Sequence, residues 1–218
     1  MIALVRYTTA TLLHSQRYLA PVLLFLAAVG ISSSNDSGPL PPLYGLCAGV
    51  LFVCATWFTI ALISNEDPAH RAITIVSAGS SSRVLLASVT VAILGCAALA
   101  VVGLVLPLFA GVHNAGAADL IVGGAAELTG AAMGISIGLL VSRLVIQRQG
   151  YALVAAIALV LTVLLVPGLP PVNAMIRLMA SATRSAPLIW PALGSLTLAL
   201  ALLGLAAAAT QFIATRKE

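Results

Sequence analysis

Residues 120–142 read LIVGGAAELTGAAMGISIGLLVS, and Glu127 is the only charged residue in this stretch. A helix needs about 20 mostly apolar residues to cross the hydrocarbon core of a bilayer. Other segments of the chain approach the same length and composition. Their predicted bounds are His14–Ser34, Leu43–Ser64, Val84–Gly111, Gln149–Leu169 and Leu188–Ile213. The sequence therefore predicts an all-α, polytopic integral membrane protein with six transmembrane helices in one domain, residues 1–218.

The composition agrees with this prediction and excludes several chemistries. The chain is 61% hydrophobic and 7% charged, whereas soluble domains are typically about 25% charged. Its single lysine, Lys217, lies at the C-terminus, so the chain has no lysine for a nucleotide-binding P-loop. The cysteines and histidines are too scattered for a disulfide framework or a zinc site. They are Cys47, Cys54, Cys96, His14, His70 and His113. We predict no metal, cofactor or nucleic acid on this chain.

The basic residues predict the orientation, because cytoplasmic loops of membrane proteins are enriched in lysine and arginine. Six spans place both termini on one side. Eight basic residues fall on that side, namely Arg6, Arg17, Arg71, Arg83, Arg143, Arg148, Arg216 and Lys217. Only Arg177 and Arg184 fall on the other. We therefore expect a multi-pass protein of the plasma membrane with both termini in the cytoplasm and a retained N-terminus.

Residues 66–83 form the longest predicted cytoplasmic connection. Asp67-Pro68 is typical of a helix start, since an acidic N-cap and a proline at the first helical position both suit it. Ile73 and Val76 then lie three residues apart on one face. Such a short helix with an apolar edge can dock into a groove on a partner. The alternative is a solvated loop that only connects two spans.

Residues 167–188, on the predicted outer side, form an amphipathic segment. At helical spacing, one face carries the apolar side chains Val172, Met175, Ile176 and Met179. Arg177 and Arg184 occupy the opposite face. A helix of this kind lies in the membrane interface as an anchor. The alternative is an outer lid that brings an arginine near Glu127.

Glycine recurs at every fourth position in the fourth span, at Gly130, Gly134 and Gly138. Small residues at this spacing let another helix approach closely. The same letters, GISIG, match the GxSxG pattern of serine hydrolases around Ser136. That chemistry requires a strand–turn–helix elbow and a histidine base, so helix packing is the preferred interpretation.

Glu127 falls on the same helical stripe as Gly130 and Gly134, so it is expected to face a neighbouring helix. Charged residues at such positions usually face the bundle interior or water. Glu127 is either a carboxylate at the outer boundary or a residue that lines or gates a pathway. Its expected ionic partner is Arg177 or Arg184.

Aromatic residues give two further predictions. Trp57 and Phe58 lie deep in the second span and are candidates to contact an apolar substrate. Four others fit the aromatic belts at the membrane interfaces. They are Tyr18, Tyr44, Tyr151 and Trp190.

The order of these parts resembles the permease subunits of ABC transporters of the type-2 exporter class. The N-terminal segment, residues 1–17, corresponds to that family's interfacial elbow helix. Residues 66–71 supply the acidic start, residues 72–76 the apolar stretch, residues 77–82 the small-residue turn, and Arg83 the basic return to the membrane. The family also has a partly embedded helical segment between spans five and six. The resemblance covers nearly the whole chain.

The resemblance implies a function and partners. A second permease chain and two copies of a separate ATPase subunit would complete an exporter that moves an amphiphilic substrate outward. ATP and magnesium would bind the ATPase, so this chain is not itself expected to be an enzyme. In the family, the cytoplasmic coupling helix receives force from the ATPase. Here its residues would be Glu66, Asp67, His70, Arg71, Ile73, Val76 and Arg83.

Two alternatives remain from the residues alone. One is an ATP-independent channel or ion-coupled carrier in which Glu127 titrates. The other, more remote, is an intramembrane serine hydrolase at Ser136.

Overall fold

The computed structural model describes residues 1–34, 38–65, 68–110, 116–145 and 148–216, except for the side chains of residues 68–72, 110 and 149. The regular structure within these ranges is helical throughout. The elements are α1 (Ile2–Ser15), α2 (Leu19–Ser33), α3 (Leu40–Ile63), α4 (Pro68–Ala78), α5 (Ser81–Ala110), α6 (Ala117–Leu140), α7 (Gln149–Leu165), α8 (Val172–Ala180) and α9 (Ile189–Thr215), with a short 3-10 helix at Ala186–Leu188 before α9.

Four of these helices are long and apolar enough to cross a membrane: α3, α5, α6, and α9 with its preceding 3-10 turn. The pair α1 and α2 makes a fifth if it is counted as one bent span. The helix α7 is apolar but shorter, with 17 residues. The all-helical architecture is consistent with a polytopic membrane protein that has four to five long apolar helices.

The predicted first span, His14–Ser34, is not one straight helix. Gln16 adopts the left-handed conformation, with φ of 55°, and ends α1. The axes of α1 and α2 then differ by 77°. Asn65 Nδ2 donates to Thr11 O at 3.1 Å, and Arg17 Nη1 donates to Ser64 O at 3.3 Å. These bonds attach the bend to the end of α3.

The other predicted spans match the observed helices to within a few residues. The largest difference is at α7, which ends at Leu165 rather than at Leu169. Gly168 adopts a positive φ of 73° in the turn that follows, and this conformation cannot continue a helix. By contrast, Pro107 lies inside α5, which continues to Ala110.

The contacts between helices define two ends of the bundle. Gly130 of α6 lies beside Ala48 of α3, and Gly138 lies beside Thr59, so these two helices are parallel. Tyr44, near the start of α3, contacts Leu104, near the end of α5, so α5 is antiparallel to them. We call the end that holds α1 and α4 the α4 end, and the opposite one the α8 end.

The helix α6 is the most enclosed of the long apolar helices and α9 the least. The principal neighbours of α6 are α3 and α9. Large side chains on both α3 and α6 are fully buried, among them Leu51, Phe52, Ile135 and Leu139. Residues on α6 are therefore the ones most surrounded by protein.

Candidate functional site

Glu127 lies at the junction of several helices. Its side chain is 0% exposed. A Cβ atom placed on Gly103 of α5 would lie 2.5 Å from Glu127 Oε1 and 3.0 Å from Cζ of Phe25 on α2. The carboxyl group therefore lies against bare backbone on α5, and an aromatic ring from α2 borders the same spot.

Neither carboxyl oxygen of Glu127 has a hydrogen-bond partner among the residues that the structure describes. The predicted ionic partners Arg177 and Arg184 are both exposed, and the structure does not bring either to Glu127. Burying a charged carboxylate without a partner is costly. Glu127 is therefore a residue that packing alone does not explain.

Tyr44 of α3 lies against Gly123, which is one helical turn before Glu127 on α6. It is fully buried, so the prediction that it belongs to an interfacial belt is wrong. Its hydroxyl donates to Leu104 O at 3.2 Å. A Cβ on Gly123 would lie 2.8 Å from its ring. Gly123 and Gly103 thus leave the room that Tyr44 and Glu127 occupy.

The glycine stripe of α6 lies directly against α3. A Cβ on Gly134 would lie 2.5 Å from Phe52 O and 2.7 Å from Ala55 Cβ. One on Gly138 would lie 2.6 Å from Thr59 Cβ, and Gly130 faces the carbonyl of Ala48. The absence of side chains lets the two backbones touch along this line.

Ser136, the central residue of the GISIG letters, is an ordinary helical serine. It is buried inside α6, and its hydroxyl donates to Ala132 O at 2.7 Å. The geometry at Ser136 offers no strand–turn–helix elbow. The hydroxyl is therefore used in a hydrogen bond within its own helix.

The helix α8 presents its apolar face to α3. Val172, Met175 and Met179 are buried, while Arg177 is exposed. A Cβ on Gly45 would lie 3.1 Å from Met179 Cβ, and one on Gly49 would lie 3.2 Å from Ile176 Cδ1. Glycines on α3 therefore let α8 pack deeply beside the first turns of the bundle.

Two polar groups missed by sequence reasoning hold the α8 end together. Asn173 is buried; its Nδ2 donates to Leu164 O at 2.5 Å and its Oδ1 accepts from Gly168 N at 3.0 Å. Asp119 accepts from Gly116 N at 2.8 Å and from the hydroxyl of Ser185. An asparagine within an apolar segment and an aspartate in a first helical turn were the available signals.

The aromatic pair in α3 is divided between two environments. Trp57 is partly exposed on the outside of the bundle, and Phe58 is buried. A Cβ on Gly95 of α5 would lie 2.7 Å from the Phe58 ring. Phe58 is thus a packing residue between α3 and α5, while Trp57 faces the surroundings.

The helix α4 connects α3 to α5 at the α4 end. It begins at Pro68 and ends at Ala78, where the Arg83 guanidinium donates to Ala78 O at 3.2 Å. Ile73 is 66% exposed and Val76 is 83% exposed. Of the other residues predicted to couple to a partner, Glu66 and Asp67 lie outside the described residues, as do the side chains of His70 and Arg71.

Comparison with known proteins gave no match to any family model, curated protein or solved structure. Within the described part of the chain, His, Cys, Asp and Glu side chains form no group of three or more that could hold a metal ion.

Proposed function

We propose that this chain is the membrane-spanning permease subunit of an ATP-binding-cassette exporter. The assembly contains two permease chains and two copies of a separate ATPase subunit, which binds ATP and magnesium. ATP-driven closure of the ATPase pair moves the helices through α4, and an amphiphilic substrate leaves on the opposite side of the plasma membrane.

The exposed apolar edge of α4 is the observation that carries the proposal. Ile73 and Val76 lie on one side of this short helix and are largely exposed. Apolar side chains exposed on the same side of a helix can form part of the surface that binds a partner. The position of α4 between two long helices, α3 and α5, suits the transfer of force.

The proposal assigns six crossings and a direction to the bundle. The two additional crossings are α2 and α7, which span about 22 and 25 Å at 1.5 Å per residue. Both are shorter than a hydrocarbon core of about 30 Å. We assign the α4 end to the cytoplasm because the basic residues concentrate there.

Cysteine labelling tests this orientation. Ser77 at the α4 end and Ser181 at the α8 end are both exposed, and the native cysteines Cys47, Cys54 and Cys96 are buried. In a chain without the native cysteines, Ser181→Cys should react with an impermeant maleimide in intact cells, and Ser77→Cys only after lysis. Reaction of both in intact cells would contradict the orientation.

Crosslinking at Val76 tests the partner. In the cysteine-free chain, Val76→Cys in native membranes should crosslink to an ATP-binding-cassette ATPase identified by mass spectrometry. The double variant Ile73→Asp with Val76→Asp should lose co-purification of that ATPase and ATP-driven transport, because charge replaces the apolar edge. Val76→Ile, which keeps an apolar side chain there, is the matched control. Normal transport by the double variant would overturn the proposal.

The carboxyl group of Glu127 has no hydrogen-bond partner among the described residues, which favours a second candidate, an ion-coupled carrier or channel that works without ATP. In this case proteoliposomes that contain only this chain transport substrate along an imposed proton gradient, and Glu127→Gln abolishes that transport. In the exporter, the same vesicles are inactive until the ATPase subunit and ATP are supplied. The two candidates are therefore separated by one reconstitution.

A further inference from the structure

An apolar groove of about 240 Å³ lies between α8 and the first turns of α9. Its lining includes Ala174, Met175 and Leu178 on one side and Pro191, Gly194 and Leu198 on the other. Leu178 and Leu198 are partly exposed, so the groove opens at the surface of the bundle. The hydroxyl of Ser195, which also lines it, donates to Ala192 O at 2.8 Å.

The volume restricts what the groove can hold. Pockets for drug-sized ligands typically measure about 300–1,000 Å³ and add a few polar groups that fix the ligand's orientation. This groove is smaller and almost wholly apolar. It suits a single hydrocarbon chain better than a whole drug-sized molecule.

A cation and an aromatic residue adjoin the lining residues in sequence. Arg177 precedes the lining residue Leu178, and Trp190 precedes the lining residue Pro191. Trp190 is 81% exposed, and tryptophan concentrates at the depth of lipid headgroups. A ligand with a hydrocarbon chain would thus place that chain in the groove and its polar group at the membrane interface.

The exposed charge in this part of the chain is positive. Arg184, in the connection between α8 and α9, adds a second exposed guanidinium. Asp119 is bonded to Gly116 N and Ser185, and among the described residues no carboxylate pairs with either arginine. Arginine binds phosphate through charge-assisted hydrogen bonds, so the complementary headgroup is anionic.

We propose that this α8–α9 groove binds one acyl chain of an anionic phospholipid of the surrounding bilayer, with the headgroup phosphate on Arg177 and Arg184. Glu127 is not among the residues that line the groove. The proposed lipid site rests on the membrane placement of the helices and is independent of the transport mechanism.

Tryptophan fluorescence tests the site directly. The chain has two tryptophans, so Trp57→Phe leaves Trp190 as the only one. The full-length protein is reconstituted in vesicles of phosphatidylcholine with a small, equal fraction of brominated phosphatidylglycerol or brominated phosphatidylcholine. The association constant for brominated phosphatidylglycerol should be about tenfold higher than that for brominated phosphatidylcholine. This difference corresponds to the free energy of one charge-assisted hydrogen bond.

Four variants of this protein locate the effect. Arg177→Gln should remove most of the preference, and Arg216→Gln, at the α4 end, should leave it intact. Gly194→Leu should fill the groove and reduce quenching by phosphatidylglycerol. Gly204→Leu is its matched control, because a Cβ at Gly194 or at Gly204 meets nothing within 4 Å, but Gly204 lies outside the groove.

Three outcomes would overturn the assignment. Equal quenching by the two lipids would mean that the headgroup is not recognised. A preference that survives both Arg177→Gln and Gly194→Leu would place the lipid elsewhere. If neither lipid quenches Trp190, a second copy of the chain, or another protein, covers this face.

Discussion

The two halves of α6 both place glycine against a neighbouring helix, but different groups lie opposite. In the second half, Gly130, Gly134 and Gly138 face backbone and Cβ atoms of α3. In the first half, Gly123 faces the ring of Tyr44, and Glu127 of α6 lies against Gly103 of α5. Glycine brings two backbones together in one place and makes room for polar side chains in the other.

The second half of α6 stabilises the bundle, whereas the first half holds a buried polar group. Backbone atoms of α3 cannot move aside without moving the helix, so the second half tolerates no added atoms. The first half contains a carboxyl group with no hydrogen-bond partner among the described residues, which opposes stability. Substitutions in the two halves should therefore change the free energy of unfolding by different amounts, and at Glu127 the change should have the opposite sign.

Gly134→Leu should have the largest effect. Its first side-chain atom would meet Phe52 O at 2.5 Å, and we expect the free energy of unfolding to fall by at least about 3 kcal/mol. Thermal unfolding of the purified protein and its yield from membranes measure this loss. Gly124→Leu is the matched control, because a Cβ there meets nothing within 4 Å. Equal stability of the two variants would show that α3 and α6 are not held in this close packing.

Gly103→Ala should have an intermediate effect, because its Cβ would meet a side chain rather than backbone. We expect a loss of about 2 kcal/mol. The double variant with Glu127→Ala should recover much of it, since the shortened side chain no longer occupies the space. A double-mutant cycle by thermal unfolding measures this coupling. Additive losses would place Glu127 away from Gly103.

Glu127→Met should have the smallest effect on stability and the opposite sign. An unbranched apolar side chain replaces two oxygens that have no hydrogen-bond partner in the part of the chain that the structure describes. The free energy of unfolding should therefore rise by about 1 kcal/mol, while transport falls. Thr129→Val is the control on the same helix, because the Thr129 hydroxyl has a partner in Ala125 O at 2.7 Å. That variant should not gain stability. A destabilised Glu127→Met chain would mean that the carboxyl group has a structural role.

The sequence was most informative where the deciding pattern is local. Glycines four residues apart in α6, and the spacing of Val172, Met175 and Met179 in α8, predict faces that the structure places against α3. Proline at Pro68 predicts the start of α4. In α6 and α8 the helical period alone assigns residues to a face.

The remaining features depend on how separate helices rotate against one another. The apolar composition of α5 is nearly uniform, so nothing in it marks Gly103 as the residue that meets Glu127. Tyr44 is of a residue type that is common in interfacial belts, but it lies inside the bundle because α5 and α6 cover it. The bend at Gln16 lacks the glycine or proline that usually marks a break, and its contacts with α3 are distant in sequence.

The two bonds of Asn173 give α8 a second attachment, and this has a consequence for any movement of the bundle. Asn173 ties α8 to the end of α7, whereas Met179 and Ile176 seat it on α3. If α7 and α3 separate, α8 cannot stay with both. One hydrogen bond to α7 and one to the turn after it are fewer restraints than a packed apolar face, so α8 should travel with α3. The turn at residues 166–171 should then be where the chain changes conformation.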